Sequence, residues 1–274
     1  MDGDCGGLDW NPVVSAPVHS AFAGVLAGLV FAGIVLLLSA TGDQVRRTNA
    51  LVIFGSAFLA LAFDAFMFGA IAGEGVCGRA WTETLYASAL LGLGALGIFG
   101  GICWLIDASD TTSGRMTRFF VVTTYVIALI VSFHVGKTTS EYLDDFRPYV
   151  DVPGWLTSAV HIYQWAIVAC VLLVAAAPTI RRRIAVGWRR VGHPFHTSTA
   201  YAYVACVVVA LYAAGSTPGN ARGWARISAT QLTWHAIAAL LIPAFAVLAQ
   251  VSTLPGHAAP LPTSADAADD PAPP

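Results

Sequence analysis

Four histidines and two acidic residues lie within apolar stretches of this sequence and are its candidates for chemistry. They are His19, His134, His161, His235, Asp64 and Glu83. Neutral imidazole is a common ligand of Zn, Cu and Fe, and carboxylates act beside it as further ligands or as proton acceptors. The residue types therefore predict a site for a metal ion (Zn, Cu or Fe) or for haem b.

Each candidate has a predicted role. All four histidines are predicted metal ligands, and His161 and His235 are the two expected to hold a haem cofactor. Asp64 and Glu83 are predicted catalytic residues, acting as base or as additional ligand. The alternative is structural, because a single histidine near a membrane interface often serves as an amphipathic anchor.

Asp64 is the most unusual of these residues. Its sequence neighbours are Ala62, Phe63, Ala65 and Phe66, so nothing local can neutralise it. An isolated carboxylate at membrane depth costs several kcal/mol, and Asp64 therefore requires a partner from another helix or a proton. The alternative is a structural hydrogen bond to a serine or threonine.

Polar residues also recur at helical spacing in two of the apolar segments. The two stripes are Ser158, His161 and Gln164 in one, and Ser228, Gln231 and His235 in the other. Spacings of three, four or seven residues place side chains on one face of a helix. In lipid, such a face is expected to look into the bundle or into a water-filled cavity.

The composition indicates that these residues lie in membrane-spanning segments. The chain of 274 residues is 57% hydrophobic and 11% charged, whereas soluble domains carry roughly 25% charged residues. Apolar runs near the length needed to cross a bilayer, about 20 residues, occur at about 17–40, 50–71, 84–106, 119–135, 156–177, 199–214 and 228–250. The predicted fold is an all-α bundle of seven transmembrane helices in a multi-pass protein of the cell membrane.

Basic residues predict the orientation of the bundle. The stretch from Pro153 to Arg190 joins an apolar run to the arginines of 181–190, and clustered arginine marks the cytoplasmic side. The N-terminus is then outside and the C-terminus inside. The predicted regions are an extracellular segment 1–16, a transmembrane domain 17–251 and a disordered cytoplasmic tail 252–274. Residues 141–145 are predicted to lie in an acidic outer loop.

Cysteines and glycines give two further structural predictions. Cys5 and Cys77 both fall outside in this topology, where they form either a disulfide or two separate thiols. A Gly-x-x-x-Gly step at Gly24–Gly28 and another at Gly97–Gly101 predict close helix contacts, because glycine lets helix backbones approach in lipid.

The predicted partners follow from charge. A net charge of -2 argues against nucleic acid. The partners expected are the lipid bilayer, anionic lipid at Arg181–Arg190, and a further membrane protein.

Three function classes remain open on these residues. The leading hypothesis is a metal- or haem-binding membrane protein, such as an oxidoreductase or electron-transfer component. The alternatives are a small-molecule or proton-coupled transporter that uses Asp64, and a non-catalytic membrane subunit or sensor.

Overall fold

The computed structural model describes residues 5, 10–39, 44–108, 114–177, 179, 183, 203–204, 206–207, 210 and 227–255. Within them the protein is helical, with six long helices: α1 (Pro12–Ser39), α2 (Gln44–Ile71), α3 (Cys77–Ala108), α4 (Gly114–Phe146), α5 (Gly154–Ala176) and α6 (Ala229–Thr253). All six are long and apolar enough to cross a bilayer. The protein is therefore a multi-pass membrane protein built as a helical bundle.

Two contacts fix the relative directions of the described helices. Helix α6 runs parallel to α3, because His235 contacts Tyr86 near the start of both helices and Gln250 lies against Gly100 near their ends. Helices α3, α4 and α5 follow one another through short connections and alternate in direction. Helices α5 and α6 consequently point the same way.

Tyr203 belongs to the predicted sixth apolar segment and is one of its few described residues. Its side chain is fully buried, and its hydroxyl donates to the carbonyl of Leu93, near the middle of α3, at 2.7 Å. Part of the predicted sixth segment thus lies at mid-depth in the bundle. Most of that segment, 199–214, lies outside the described residues.

Helix α4 continues eleven residues past the C-terminal end of the apolar run that predicts it, to Phe146. The predicted acidic outer loop is wrong, since Glu141, Asp144 and Asp145 belong to the last turns of α4. These turns alternate acidic residues with buried ones such as Tyr142 and Phe146, which are 0% exposed. An amphipathic turn of this kind ends an apolar run without ending the helix.

Helix α1 begins five residues before its predicted start. Asn11 precedes it, and its side-chain oxygen accepts hydrogen bonds from the amides of Val13 and Val14 at 3.0 and 3.2 Å. Pro12 occupies the first helical position, where its missing N–H leaves no donor unsatisfied. The cap and the proline together start the helix here.

Helix α3 lies at the centre of the bundle, and glycines bring α2 against it. A Cβ atom on Gly94 would lie 2.4 Å from Cγ of Leu61, and one on Gly97 would lie 2.7 Å from Cβ of Ala57. Positions Gly24 and Gly28 of α1 have no atom within 4 Å of such a Cβ. Of the two Gly-x-x-x-Gly steps, the one in α3 therefore forms a close helix contact.

A disulfide fastens the N-terminal segment to the bundle. It joins Cys5 to Cys77, the first residue of α3, across a sequence separation of 72. The indole N–H of Trp81 donates to the carbonyl of Cys5 at 3.2 Å. We call the end of the bundle at this bond the disulfide end.

Candidate functional site: a cleft at the disulfide end

A cleft of about 280 Å³ opens between α1 and α4 near the disulfide end, with α3 as its floor. Its lining residues come from four helices and the N-terminal segment: Trp10, His19, Phe68, Thr84, Ser88, Leu91, His134, Thr138 and Glu141. A concave site with aromatic walls and a few convergent polar groups is the usual form of a small-molecule site.

His19 forms one wall of the cleft and is held in a defined orientation. Its Nδ1 lies 2.9 Å from the carbonyl oxygen of Ser15. Because a carbonyl oxygen can only accept, Nδ1 carries the proton and Nε2 of the neutral ring keeps a free lone pair. The ring also stacks on Phe68, with centroids 4.9 Å apart.

Trp10 closes the cleft on the side of the N-terminal segment. Its ring meets His19 edge to face at 6.3 Å between centroids and Trp81 at 5.6 Å. Trp81 in turn binds the carbonyl of Cys5, beside the disulfide. The covalent bond and this aromatic row together place Trp10 over His19.

The floor of the cleft is one polar face of α3. Thr84, Ser88 and Leu91 are spaced by four and three residues, which aligns them on that face. The Ser88 hydroxyl donates to the carbonyl of Leu85 at 3.1 Å. The Thr84 side chain is buried, and its hydroxyl has no hydrogen-bond partner within the described part of the chain. A buried unpaired hydroxyl that lines a cavity favours a bound ligand or water there.

The opposite wall is a stripe of α4 at the same spacing. It consists of His134, Thr138 and Glu141. The Thr138 hydroxyl donates to the carbonyl of His134 at 3.0 Å, and the Glu141 carboxylate lies 3.4 Å from the ammonium of Lys137. The structure thus brings His134 to the same cleft as His19, from a helix that is not its neighbour in sequence.

His235 lies apart from this pair. The hydroxyl of Tyr86 is 3.1 Å from Nδ1 of His235 and 3.3 Å from its carbonyl oxygen. Tyr86 is two residues from Thr84, a rotation of about 200° around the helix axis, so it projects from the face of α3 opposite the cleft. His235 therefore contributes to the α3–α6 interface.

The two predicted polar stripes have separate outcomes. On α5, Ser158 and His161 are exposed, so the prediction that this stripe faces the interior is wrong for them. Next to α6, Ser228 and Gln231 form a capping box: the Ser228 hydroxyl accepts from the Gln231 amide at 3.2 Å, and the Gln231 side chain accepts from the Ser228 amide at 3.1 Å. The capping box stabilises the start of α6.

Glu83 forms an ion pair with an arginine. Its carboxylate lies 3.9 Å from the guanidinium of Arg79, which also pairs with Glu74 in the connection before α3. Neither Glu83 nor this ion pair is among the residues that line the cleft. The predicted catalytic role of Glu83 stays a prediction.

Asp64 is fully buried within the bundle, on α2. Its exposed fraction is 0%, and neither carboxylate oxygen has a hydrogen-bond partner among the residues described. It shares a helix face with Leu61, which packs against Gly94, and with Phe68, which lines the cleft. Asp64 thus lies one turn deeper than the ring on which His19 stacks, and the alternative of a hydrogen bond to serine or threonine is not found in the described residues.

The four predicted histidine ligands consequently fall into three places. His19 and His134, which is itself exposed, line the cleft; His235 pairs with Tyr86, and His161 is exposed and does not line the cleft. Within the described ranges, no group of three or more His, Cys, Asp or Glu side chains is arranged to hold a metal ion.

Sequence reasoning missed several residues of this site. Trp10, Phe68, Thr84, Ser88, Thr138 and Glu141 line the cleft. The signal that could have found the α4 wall is the spacing of His134, Thr138 and Glu141. This spacing places the three side chains on one face only if the helix continues beyond residue 135. Comparison of the chain with protein-family models, curated proteins and solved structures gives no match.

Proposed function

We propose that the protein is a membrane carrier that binds a small solute in the cleft and uses Asp64 to bind a proton. The observation that carries this proposal is the position of Asp64 beneath the cleft. A polar cleft with an unpaired Thr84 hydroxyl opens at the disulfide end, and an unpaired buried carboxyl lies one helical turn beneath its Phe68 wall. Ionisable groups inside membrane helices are typical of solute and proton pathways.

Asp64 can bind and release a proton only if its surroundings change. In the described arrangement the ionised form would lie unpaired in an apolar interface, so the neutral acid is the stable form. A carrier conformation that exposes Asp64 to water would stabilise the carboxylate instead. Proton binding would in this way be coupled to the opening and closing of the site.

The disulfide supports the predicted orientation. Disulfides form and persist in oxidising compartments and are rare in the cytosol. The Cys5–Cys77 bond therefore favours an exterior position for the disulfide end and for the cleft. With the predicted seventh crossing, this orientation would leave the C-terminus inside, which is the side that the arginine distribution also predicts.

The carrier proposal is tested by binding and then by uptake. Thermal stabilisation of the purified full chain is measured against a panel of small amines, carboxylates, alcohols and sugars. Solutes that stabilise it are then followed into proteoliposomes under an imposed pH gradient. We expect gradient-driven uptake by the wild type, loss of it in Asp64→Asn, and retention in the matched variant Asp144→Asn, whose parent side chain is exposed and paired with Arg147.

Two results would contradict the proposal. Binding without uptake in the wild type would make the protein a receptor or binding subunit. Uptake that is unchanged in Asp64→Asn would remove the proton-binding role from Asp64.

A second candidate function is metal or haem binding, and one specific contact favours it. Histidine ligands of metals commonly donate their other ring N–H to a backbone carbonyl, and His19 makes this bond to Ser15. His19 and His134 would be the ligands from the cleft. An absorption spectrum of the detergent-solubilised protein, together with elemental analysis, tests it. A Soret band, or bound Zn, Cu or Fe, that is lost in His19→Ala would support metal or haem binding. The absence of both from the wild type would exclude it.

The predicted lipid contact is a separate proposal. Anionic lipid headgroups would bind the arginines of 181–190, each charge contributing about 1 kcal/mol near the membrane surface. Arg183 is exposed, and the other arginines of this stretch lie outside the described residues.

A further inference from the structure

We infer that the ligand of the cleft is a small protonated amine. This inference rests on the proposed binding function of the cleft and names the chemical class of its solute. It comes from counting which polar atoms of the lining can still donate a hydrogen bond and which can only accept one.

The polar atoms of the lining are mainly acceptors. The hydroxyls of Ser88 and Thr138 already donate to backbone carbonyls, at 3.1 and 3.0 Å, so each offers the cleft only its oxygen lone pairs. The same holds for His19, whose ring proton is directed to Ser15 and whose Nε2 is the acceptor that remains. The Glu141 carboxylate adds two acceptor oxygens and a negative charge.

Donors and positive charge are scarce in the same lining. The donors are the Thr84 hydroxyl, which is the one unpaired hydroxyl among the lining residues, the indole N–H of Trp10 and the imidazole of His134. Lys137 pairs with Glu141, but its side chain is 63% exposed and it does not line the cleft. An anionic ligand would leave several acceptors unpaired and would face a carboxylate, which is unfavourable.

The apolar part of the lining limits the rest of the ligand. Trp10, Phe68 and Leu91 supply aromatic and aliphatic surface around the polar stripe. The volume of about 280 Å³ corresponds to about nine water molecules at about 30 Å³ each. An ammonium group attached to one small aromatic or aliphatic body satisfies the acceptors, and a ring such as Trp10 also attracts a cation to its face.

Three molecules of nearly equal size provide the test: 2-phenylethylamine, 2-phenylethanol and phenylacetate. Their binding to the full-length protein in lipid nanodiscs is measured by calorimetric titration at neutral pH. We expect the amine to bind about tenfold more tightly than either control, which corresponds to about 1.4 kcal/mol. Equal or tighter binding of the alcohol or the anion would overturn the amine assignment.

Substitutions on α4 locate the binding. Glu141→Gln should weaken amine binding about fivefold, a modest effect because this carboxylate is partly exposed, and it should leave the alcohol unaffected. Lys137→Gln is the matched control one turn away, and it should preserve or strengthen amine binding because it removes a competing cation. An equal loss in both variants would overturn the role of Glu141. Thr138→Val, which removes an acceptor while keeping the shape, provides a second readout if Glu141→Gln does not fold.

The outcomes separate this inference from the carrier proposal. Preferential binding of the alcohol or the anion, weakened by Thr84→Val, would keep the cleft as a ligand site and exclude the amine class. Failure of the amine to bind would overturn the inference, while the solute panel and the Asp64→Asn uptake measurement would still decide whether the protein is a carrier.

Discussion

The imidazole of His19 stacks on the ring of Phe68, with ring centroids 4.9 Å apart and planes inclined by 26°. Phe68 belongs to the same helix as Asp64 and lies one turn nearer the disulfide end. Through this contact the wall of the cleft rests on the helix that carries the buried acid. A ligand that moves His19 would therefore act on α2, which gives the carrier proposal a mechanical link between solute and proton.

Replacing Phe68 by leucine tests the importance of the stack for the cleft. The change keeps an apolar side chain but removes the flat surface that orients His19, so we expect ligand affinity to fall about threefold to tenfold, or about 1 kcal/mol. Phe66→Leu is the matched control, because Phe66 is 65% exposed on the same helix. The binding titration checks both variants, and equal affinities would show that the stack does not position the site.

Asp64→Asn should leave the protein as stable as the wild type or slightly more stable. The carboxyl group has no hydrogen-bond partner in the described residues, so the amide loses no contact, and the neutral acid that it replaces has a similar shape. Infrared difference spectroscopy should also show a protonated carboxyl band in the wild type that is missing in the variant. A fall in the melting temperature of more than about 8 °C, or about 1–2 kcal/mol, would reveal a partner for Asp64.

Cysteine labelling tests the orientation of the membrane protein. In a variant with Cys103, Cys170 and Cys206 replaced by alanine, a membrane-impermeant maleimide added to intact cells should react only after reduction, because Cys5 and Cys77 are joined. A reporter fused to the C-terminus should be accessible only from the cytoplasm if the chain has the seven predicted crossings, which would place its ends on opposite sides. Labelling that requires permeabilised cells, or a reporter found outside, would contradict this topology.

Gly94→Ala should destabilise the bundle by about 1–3 kcal/mol. The added methyl carbon would lie 2.4 Å from Cγ of Leu61, so α2 and α3 would have to separate or Leu61 would have to leave its rotamer. Gly24→Ala is the matched control, because a methyl carbon there meets no atom within 4 Å. Unfolding of the two variants in detergent is compared, and similar midpoints would contradict the close α2–α3 contact.

Tyr86→Phe tests whether the α3–α6 interface is independent of ligand binding in the cleft. Loss of the hydroxyl leaves Nδ1 of His235 without the partner at 3.1 Å, and we expect a destabilisation of about 1–2 kcal/mol. Ligand affinity of the cleft should stay within about twofold, since Tyr86 projects from the opposite face of α3. A larger change in affinity, with stability preserved, would assign His235 and Tyr86 to the binding site.

The lengths of the apolar runs determined the membrane class and the approximate positions of the six described helices. This information is local, because the thickness of the bilayer selects helices by length and composition alone. The burial of Asp64 between apolar neighbours belongs to the same local information. The end of α4 does not, since its last turns alternate acidic residues with residues that are buried in the bundle.

The grouping of the functional side chains was decided by the tertiary structure. His19, His134, His161 and His235 look equivalent along the chain, yet two share a cleft, one pairs with Tyr86 and one is exposed. The two Gly-x-x-x-Gly steps are also equivalent in sequence, but the step in α3 meets a neighbouring helix and the step in α1 does not. Apolar length places a helix across a membrane, whereas its rotation about its own axis depends on contacts with residues far away in the chain. Only the folded bundle determines those contacts.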